Sequence, residues 1–310
     1  MKASGFLRVV LSAAFVAVFC PLQKAHTDNG YDAWLRYTPL KEAERAKFGL
    51  FPTTLVARND SHLLQTAQGE LIRGVQGMLG RTLRVEKELS KESAIVMGTL
   101  GELHSVVPDL LPPKNLSADG YWLANERVKG HDCIIIAGTT DRGTLYGVFA
   151  LLRKIAFAED LSHLQETQGP ANPIRWVNEW DNLDGRIERG YGGRSIFFEN
   201  GDVRADLTRA SDYARLLASV GINGCVVNNV NANPRVLAPD FLPQLERHFP
   251  RPDRSAATTD GRAVDVLLPD VYPRPTSMRA ALPGSAICLA VPTVVGEEDR
   301  PLPLGTARQW

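Results

Sequence analysis

The sequence predicts an α/β protein: an N-terminal α/β sandwich-like domain, then the first βα units of a (β/α)8 TIM barrel that is incomplete. Three observations carry this. The apolar runs SAIVMGTL (Ser93 to Leu100) and HDCIIIAG (His131 to Gly138) read as buried strands. Stretches of 3.6-residue apolar period lie between and after them, as helices packed on a sheet require. Further on, IRWV (from Ile174) and GCVVNNV (from Gly224) flank a helical stretch, and each ends in polar residues. In a barrel, strand C-termini and the loops after them share one mouth.

The 310 residues are 44% hydrophobic and 23% charged, enough for about two domains or one large barrel. Disordered and collagen-like classes are excluded. With 35 basic and 35 acidic side chains, the chain has no net field to gather nucleic acid or anionic lipid. A small neutral or weakly charged ligand is the expected partner, with no nucleic acid and no stable membrane insertion.

Taken in order, residues 1–25 have the layout of a secretory signal peptide. Lys2 and Arg8 precede an apolar run from Val9 to Phe19, and cleavage is expected near Ala25. The alternative is a retained anchor, although the run is shorter than the ~20 residues of a spanning helix. The expected location is therefore secreted or periplasmic. Residues 26–160 are the expected α/β domain. Leu64, Leu71, Ile72, Val75, Met78 and Leu79 mark one face of an amphipathic helix. The GTTDRG turn (Gly138 to Gly143) leads into a helix whose Leu145, Val148, Phe149 and Leu152 share a face. Its glycines match neither phosphate-binding pattern, so it reads as a plain strand-to-helix turn. A polar connector, Glu166 to Pro173, leads to residues 170–247, the expected start of the barrel. There a helix from about Asp206 to Val220 separates the two strands.

Cys133 and Cys225 sit in apolar runs and read as small buried hydrophobes, and neither they nor Cys288 form a CxxC pair. The six histidines are scattered. No metal and no cofactor are expected.

The candidate site follows from two polar clusters at strand ends. The first holds Trp180, Asp181, Asn182, Asp184, Glu188 and Arg189, with Tyr191 close by, and the second holds Asn228, Asn229 and Asn231. Short polar side chains can equally be turn residues bonding their own backbone. Placed at the ends of successive barrel strands, they face one mouth. Aromatic faces beside short donors and acceptors suit a sugar, whose C–H face stacks while each hydroxyl needs a partner.

Four stretches carry a resemblance: GYDAWLRY (from Gly30), TTDRGTLYGVFALLR (from Thr139), NEWDNLDGRIERGYGGRSIFF (from Asn178) and DYARLLASVGINGCVVNNVNA (from Asp212). Together, over about residues 28 to 246, the chain resembles the α-glucuronidases of glycoside hydrolase family 67. The resemblance implies a secreted or periplasmic hydrolase of xylan breakdown. Its members release α-1,2-linked (4-O-methyl)glucuronic acid from glucuronoxylan-derived oligosaccharides with inversion, using one carboxylic acid to protonate the leaving oxygen and a carboxylate pair to activate water. It also implies an α/β domain, a catalytic barrel, a helical C-terminal domain that often mediates dimerisation, and no metal. The nine residues of the two clusters match the family's substrate-positioning motifs. Glu179 departs from the histidine or glutamine expected there, which leaves its role open.

Beyond Arg247 the resemblance stops. Residues 248–310 carry nine prolines between Pro250 and Pro303, and no window is long enough for a helix. Read one base later, codons for Val294 to Asp299 can spell two tryptophans followed by Ala-Lys-Lys, so this tail is expected to be out-of-frame translation and disordered. Family order places the catalytic carboxylates beyond Arg247, and no catalytic residue is assigned. The expectation is a truncated, inactive α-glucuronidase; the alternative is a non-catalytic carbohydrate-binding α/β module.

Overall fold

The computed structural model describes residues 30–57, 61–89, 91–227, 233, 235, 238–241, 243–244 and 287–290. The expected signal peptide, Asn228, Asn229 and Asn231, and most of the tail lie outside the described residues. The chain divides into two units, Met1–Trp34 and Leu35–Trp310. In the first, Tyr31–Ala33 form a single 3-10 turn, and the Tyr31 and Trp34 rings meet edge to face with centroids 5.1 Å apart.

The second unit is built on a six-stranded sheet. Its strands are β1 (Thr54–Ala57), β2 (Arg84–Glu86), β3 (Ala94–Thr99), β4 (Tyr121–Val128), β5 (His131–Gly138) and β6 (Gln165–Gln168), in the order β2-β1-β3-β5-β4-β6. The β2, β1, β3 and β5 neighbours run parallel, whereas β4 is antiparallel to both β5 and β6. Strand alternation sends successive side chains to opposite faces. Ile95, Met97, Ile134 and Ile136 join a core with α1 (His62–Leu79) and α3 (Asp141–Ala156). Ala94, Val96, Cys133 and Ile135 pack on the other face with Leu103 of α2 (Leu100–Val106).

Both expected helix faces form as the apolar period requires: Leu64, Leu71, Val75 and Met78 are buried in α1, and Leu145, Val148, Phe149 and Leu152 in α3. Gly74 lets α1 lie on α3, because a Cβ there would collide with the Leu152 methyls. The 138–143 turn is used internally. Thr140 caps α3 by accepting the Gly143 N–H at 3.1 Å, and buried Arg142 pairs with Asp119 at 2.7 Å.

Strand β4 departs from a pure strand-and-helix alternation. It leads into β5 through a two-residue turn, with Lys129 at φ 50° and Gly130 at φ 85°, the positive pair that a tight antiparallel hairpin needs. The polar connector begins as β6, an edge strand, so its polarity reflects exposure at the rim of the sheet rather than absence of structure.

A second, three-stranded sheet holds β7 (Trp176–Asn178), β10 (Gly224–Val227) and β11 (Ile287–Ala290) in the order β11-β10-β7. Between β7 and β10 come the hairpin β8 (Phe198–Glu199) and β9 (Asp202–Val203), and α4 (Thr208–Ser219). β7 and β10 are parallel, as a βα unit demands, and β11 is antiparallel to β10. β11 is a described strand inside the tail expected to lack order. It occupies ICLA, the heart of a proline-free stretch from Gly284 to Val291.

The strand-loop region is tied to the six-stranded sheet by buried charge. Glu70 of α1 receives Arg215 of α4 through two bonds of 2.8 and 2.9 Å, together with Arg73 at 2.9 Å and the Tyr37 hydroxyl. The Arg175 guanidinium reaches Gly221 O at 2.6 Å, Asp119 at 3.2 Å and the Tyr146 hydroxyl at 3.2 Å. Among the described residues no helix is long and apolar enough to cross a membrane.

Candidate functional site

The candidate site starts where β7 ends. The Glu179 N–H donates to Val226 O at 2.7 Å and extends the β7–β10 ladder by one rung. The chain then folds back on itself, pairing Asp181 with Ile187 and Arg186 with Arg194. Reversal is possible because Gly185 takes φ 86° and Gly190 φ 106°, left-handed conformations without penalty for glycine. Glu188 also takes a positive φ, 54°, and its N–H donates to Trp180 O at 2.6 Å. Asn182 locks the reversal by donating from its amide to Arg186 O at 3.1 Å and Glu188 O at 2.5 Å. Asp184 accepts the Arg186 N–H at 2.9 Å and pairs with its guanidinium at 2.6 Å.

Asn182, Asp184, Glu188 and Arg189 thus converge on one open groove of about 350 Å³, completed by Leu183, Arg186 and Asn233. Trp180 is 42% exposed beside the loop's start and Tyr191 is 73% exposed. Asp181 sits differently: it is 2% exposed and is not among the groove-lining residues. Arg186 and Asn233 were not singled out from sequence. Alternation around the reversal could have flagged Arg186, but Asn233 comes from a separate segment after β10.

Beneath the loop lies a carboxylate pair. Burial pushes Asp181 up to about 6, opposed by the Ser195 hydroxyl and reinforced by the charge of Glu179. Its Oδ1 is buried with no hydrogen-bond partner among the described residues. Ser195 Oγ also accepts the N–H groups of Phe197 and Phe198, both at 3.0 Å, which fixes the loop's return. Glu179 accepts the Tyr213 hydroxyl of α4 at 2.5 Å. Burial, then Glu179, push that phenol up. At the surface, the Arg186 guanidinium and N–H hold Asp184 below the usual carboxylate range. Among the described residues no cluster of His, Cys, Asp and Glu has the makings of a metal site. The arrangement offers a wall of short donors and acceptors, two guanidiniums and an exposed indole.

The N-terminal model of glycosyl hydrolase family 67 matches residues 33–151, and its middle-domain model matches residues 154–249. The chain belongs to glycosyl hydrolase family 67. The groove loop and Tyr213 both fall within the part matched by the family 67 middle domain. Among curated relatives, the α-glucuronidase of Hypocrea jecorina is 43% identical over 254 residues, 78% of this chain and 29% of that protein. The probable α-glucuronidase A of Aspergillus terreus is 43% identical over 224 residues, 71% of this chain and 26% of its own length. The α-glucuronidase A of Emericella nidulans is 40% identical over 233 residues, 72% of this chain and 27% of that protein. The chain therefore spans between 26% and 29% of the length of these three relatives. A solved family 115 4-O-methyl-α-glucuronidase with specificity for decorated arabinogalactans aligns with TM-score 0.45 and 16% identity over 63% of this chain and 27% of its own.

Proposed function

We propose that this chain is the sugar-orienting portion of an α-glucuronidase acting on α-1,2-linked (4-O-methyl)glucuronic acid in xylo-oligosaccharides. The observation that carries this is the near-continuous family 67 match from residue 33 to 249, which takes in the loop that builds the groove. In this reading residues 26–160 are the α/β domain, and residues 170–247 hold the first βα units of the catalytic (β/α)8 barrel, of which β7, α4 and β10 are the described part. An N-terminal leader sends the protein out of the cytoplasm.

Trp180 offers its face to a sugar ring, while Asn182, Asp184 and Glu188 supply donors and acceptors for hydroxyls. Arg186 is paired with Asp184, and exposed Arg189 lines the same groove as the cation for a uronate carboxylate. Asn228, Asn229 and Asn231, which follow β10 in the sequence, are the second set of side chains assigned to the sugar in this reading, and Asp181 supports the loop from below. Family order places the proton-transferring carboxylates beyond Arg247, and in this reading the groove loop binds and orients the sugar.

Titration calorimetry with 4-O-methylglucuronosyl-xylobiose tests the reading. Binding is expected for the uronate and not for xylobiose, and Arg189→Ala is expected to weaken it about tenfold, as loss of a charge-assisted bond should. Equal affinity for the neutral and acidic sugars would overturn the assignment. Release of 4-O-methylglucuronic acid by the purified chain would overturn the purely orienting role.

A further inference from the structure

We infer that Tyr213 and Glu179 form a positioning pair: the Tyr213 hydroxyl, through the Glu179 carboxylate, fixes the end of β7 from which Trp180 and the groove loop project. Neither residue lines the groove, so both act through others. Their bond joins α4 to the strand end across 34 residues of sequence at 2.5 Å.

Glu179 is the last rung of the β7–β10 ladder, held by its N–H on Val226 O. Adjacent residues of an extended chain face opposite ways. With Glu179 turned to α4, Trp180 is left facing solvent. The Trp180 carbonyl then takes the Glu188 N–H at 2.6 Å, and Asn182 pins the carbonyls of residues 186 and 188. The groove wall is thus laid out from the direction in which Trp180 leaves the strand.

Two further observations give the pair its leverage. Tyr213 sits two residues before Arg215, whose bidentate hold on buried Glu70 sets the height of α4 against the six-stranded sheet. Glu179 also faces the charge of buried Asp181. Without the phenolic donor, two carboxylates two residues apart would repel with no partner on the Glu179 side, and the strand end would be pushed off α4. Glutamic acid at this position thus supplies what matters here, an acceptor for the Tyr213 hydroxyl.

The ligand half of this inference rests on the proposed sugar site; the positional half does not. Both are read on the full chain. Hydrogen exchange of the Asn182 and Glu188 amides, which are bonded across the loop, should quicken about tenfold in Tyr213→Phe and in Glu179→Ala. In Glu179→Gln, which keeps an acceptor, exchange should return to within about twofold of the parent, while α3 amides stay unchanged in all three. Affinity for 4-O-methylglucuronosyl-xylobiose should fall in the first two variants and recover in the third. Parent-like exchange in Tyr213→Phe, or Glu179→Gln exchanging as fast as Glu179→Ala, would overturn the inference. If Tyr213→Phe does not fold, the Ala and Gln comparison at position 179 decides it. Absence of binding by the parent chain defeats the sugar assignment alone, because the exchange pattern is measured without ligand.

Discussion

At Asp181 a carboxylate is folded under the groove loop with one oxygen unmatched by any donor among the described residues. Its folded-state value of about 6 lies above the ordinary 3.8, so between those limits the folded protein binds more protons than the unfolded chain. The sign is that of a cost: stability falls as pH rises from about 4 to about 6 and then levels, with the full penalty present above pH 6. Asp181→Asn is expected to remove it, raising unfolding free energy at pH 7 by about 1–3 kcal/mol and flattening the pH 4–6 slope in urea titrations. The sequence announced the polar cluster but not its division of labour. Asn182 binds two backbone carbonyls because the chain reverses with Glu188 at positive φ, and no local pattern marks a glutamate for that conformation. Asp181 and Asp184 look alike in sequence. One is buried by pairing with the return strand, and the other is exposed and paired with Arg186.

Between elements, α1 and α4 meet through Glu70, which is 1% exposed and serves Arg215, Arg73 and Tyr37 together. Removing the shared acceptor takes a charged partner from two guanidiniums and a phenol, with Arg215 left only its bond to Asp212 at 2.7 Å. Glu70→Ala should therefore cost about 3 kcal/mol, read as a lowered urea midpoint with unchanged slope. The helices were legible because a 3.6-residue apolar period survives whichever sheet it packs on; α1 and α3 lie where that period placed them, and α4 falls within the expected span from Asp206 to Val220. β4 was not legible as an antiparallel partner. Its turn is Lys-Gly rather than Asn-Gly, and its pairing with β6 joins residues about 45 apart. Glu70 itself lies on a helix face otherwise apolar, and its partner is 145 residues away, beyond any local signal.

Across the unit from Leu35 onward, Glu70, Asp119, Arg142 and Arg175 bind the six-stranded sheet to the β7–α4–β10 region, and Arg153 adds a bond to Ser219 O at 2.9 Å. The two parts should accordingly unfold together. Far-UV circular dichroism and tryptophan fluorescence are expected to give coincident urea transitions, and a biphasic fluorescence curve would show that the parts melt apart. At this scale the sequence was most informative, because long motifs in unbroken order point to one family, as the matches over 33–151 and 154–249 bear out. The antiparallel β11 was beyond its reach, since four apolar residues among prolines do not declare a pairing partner.

That strand also settles where the open edges of the second sheet fall. With β7 on one side and β11 on the other, β10 has both of its edges paired. The outer edges belong instead to β7 and β11, three and four residues long. Edges so short offer another chain little template for pairing, which guards this sheet against edge-to-edge aggregation.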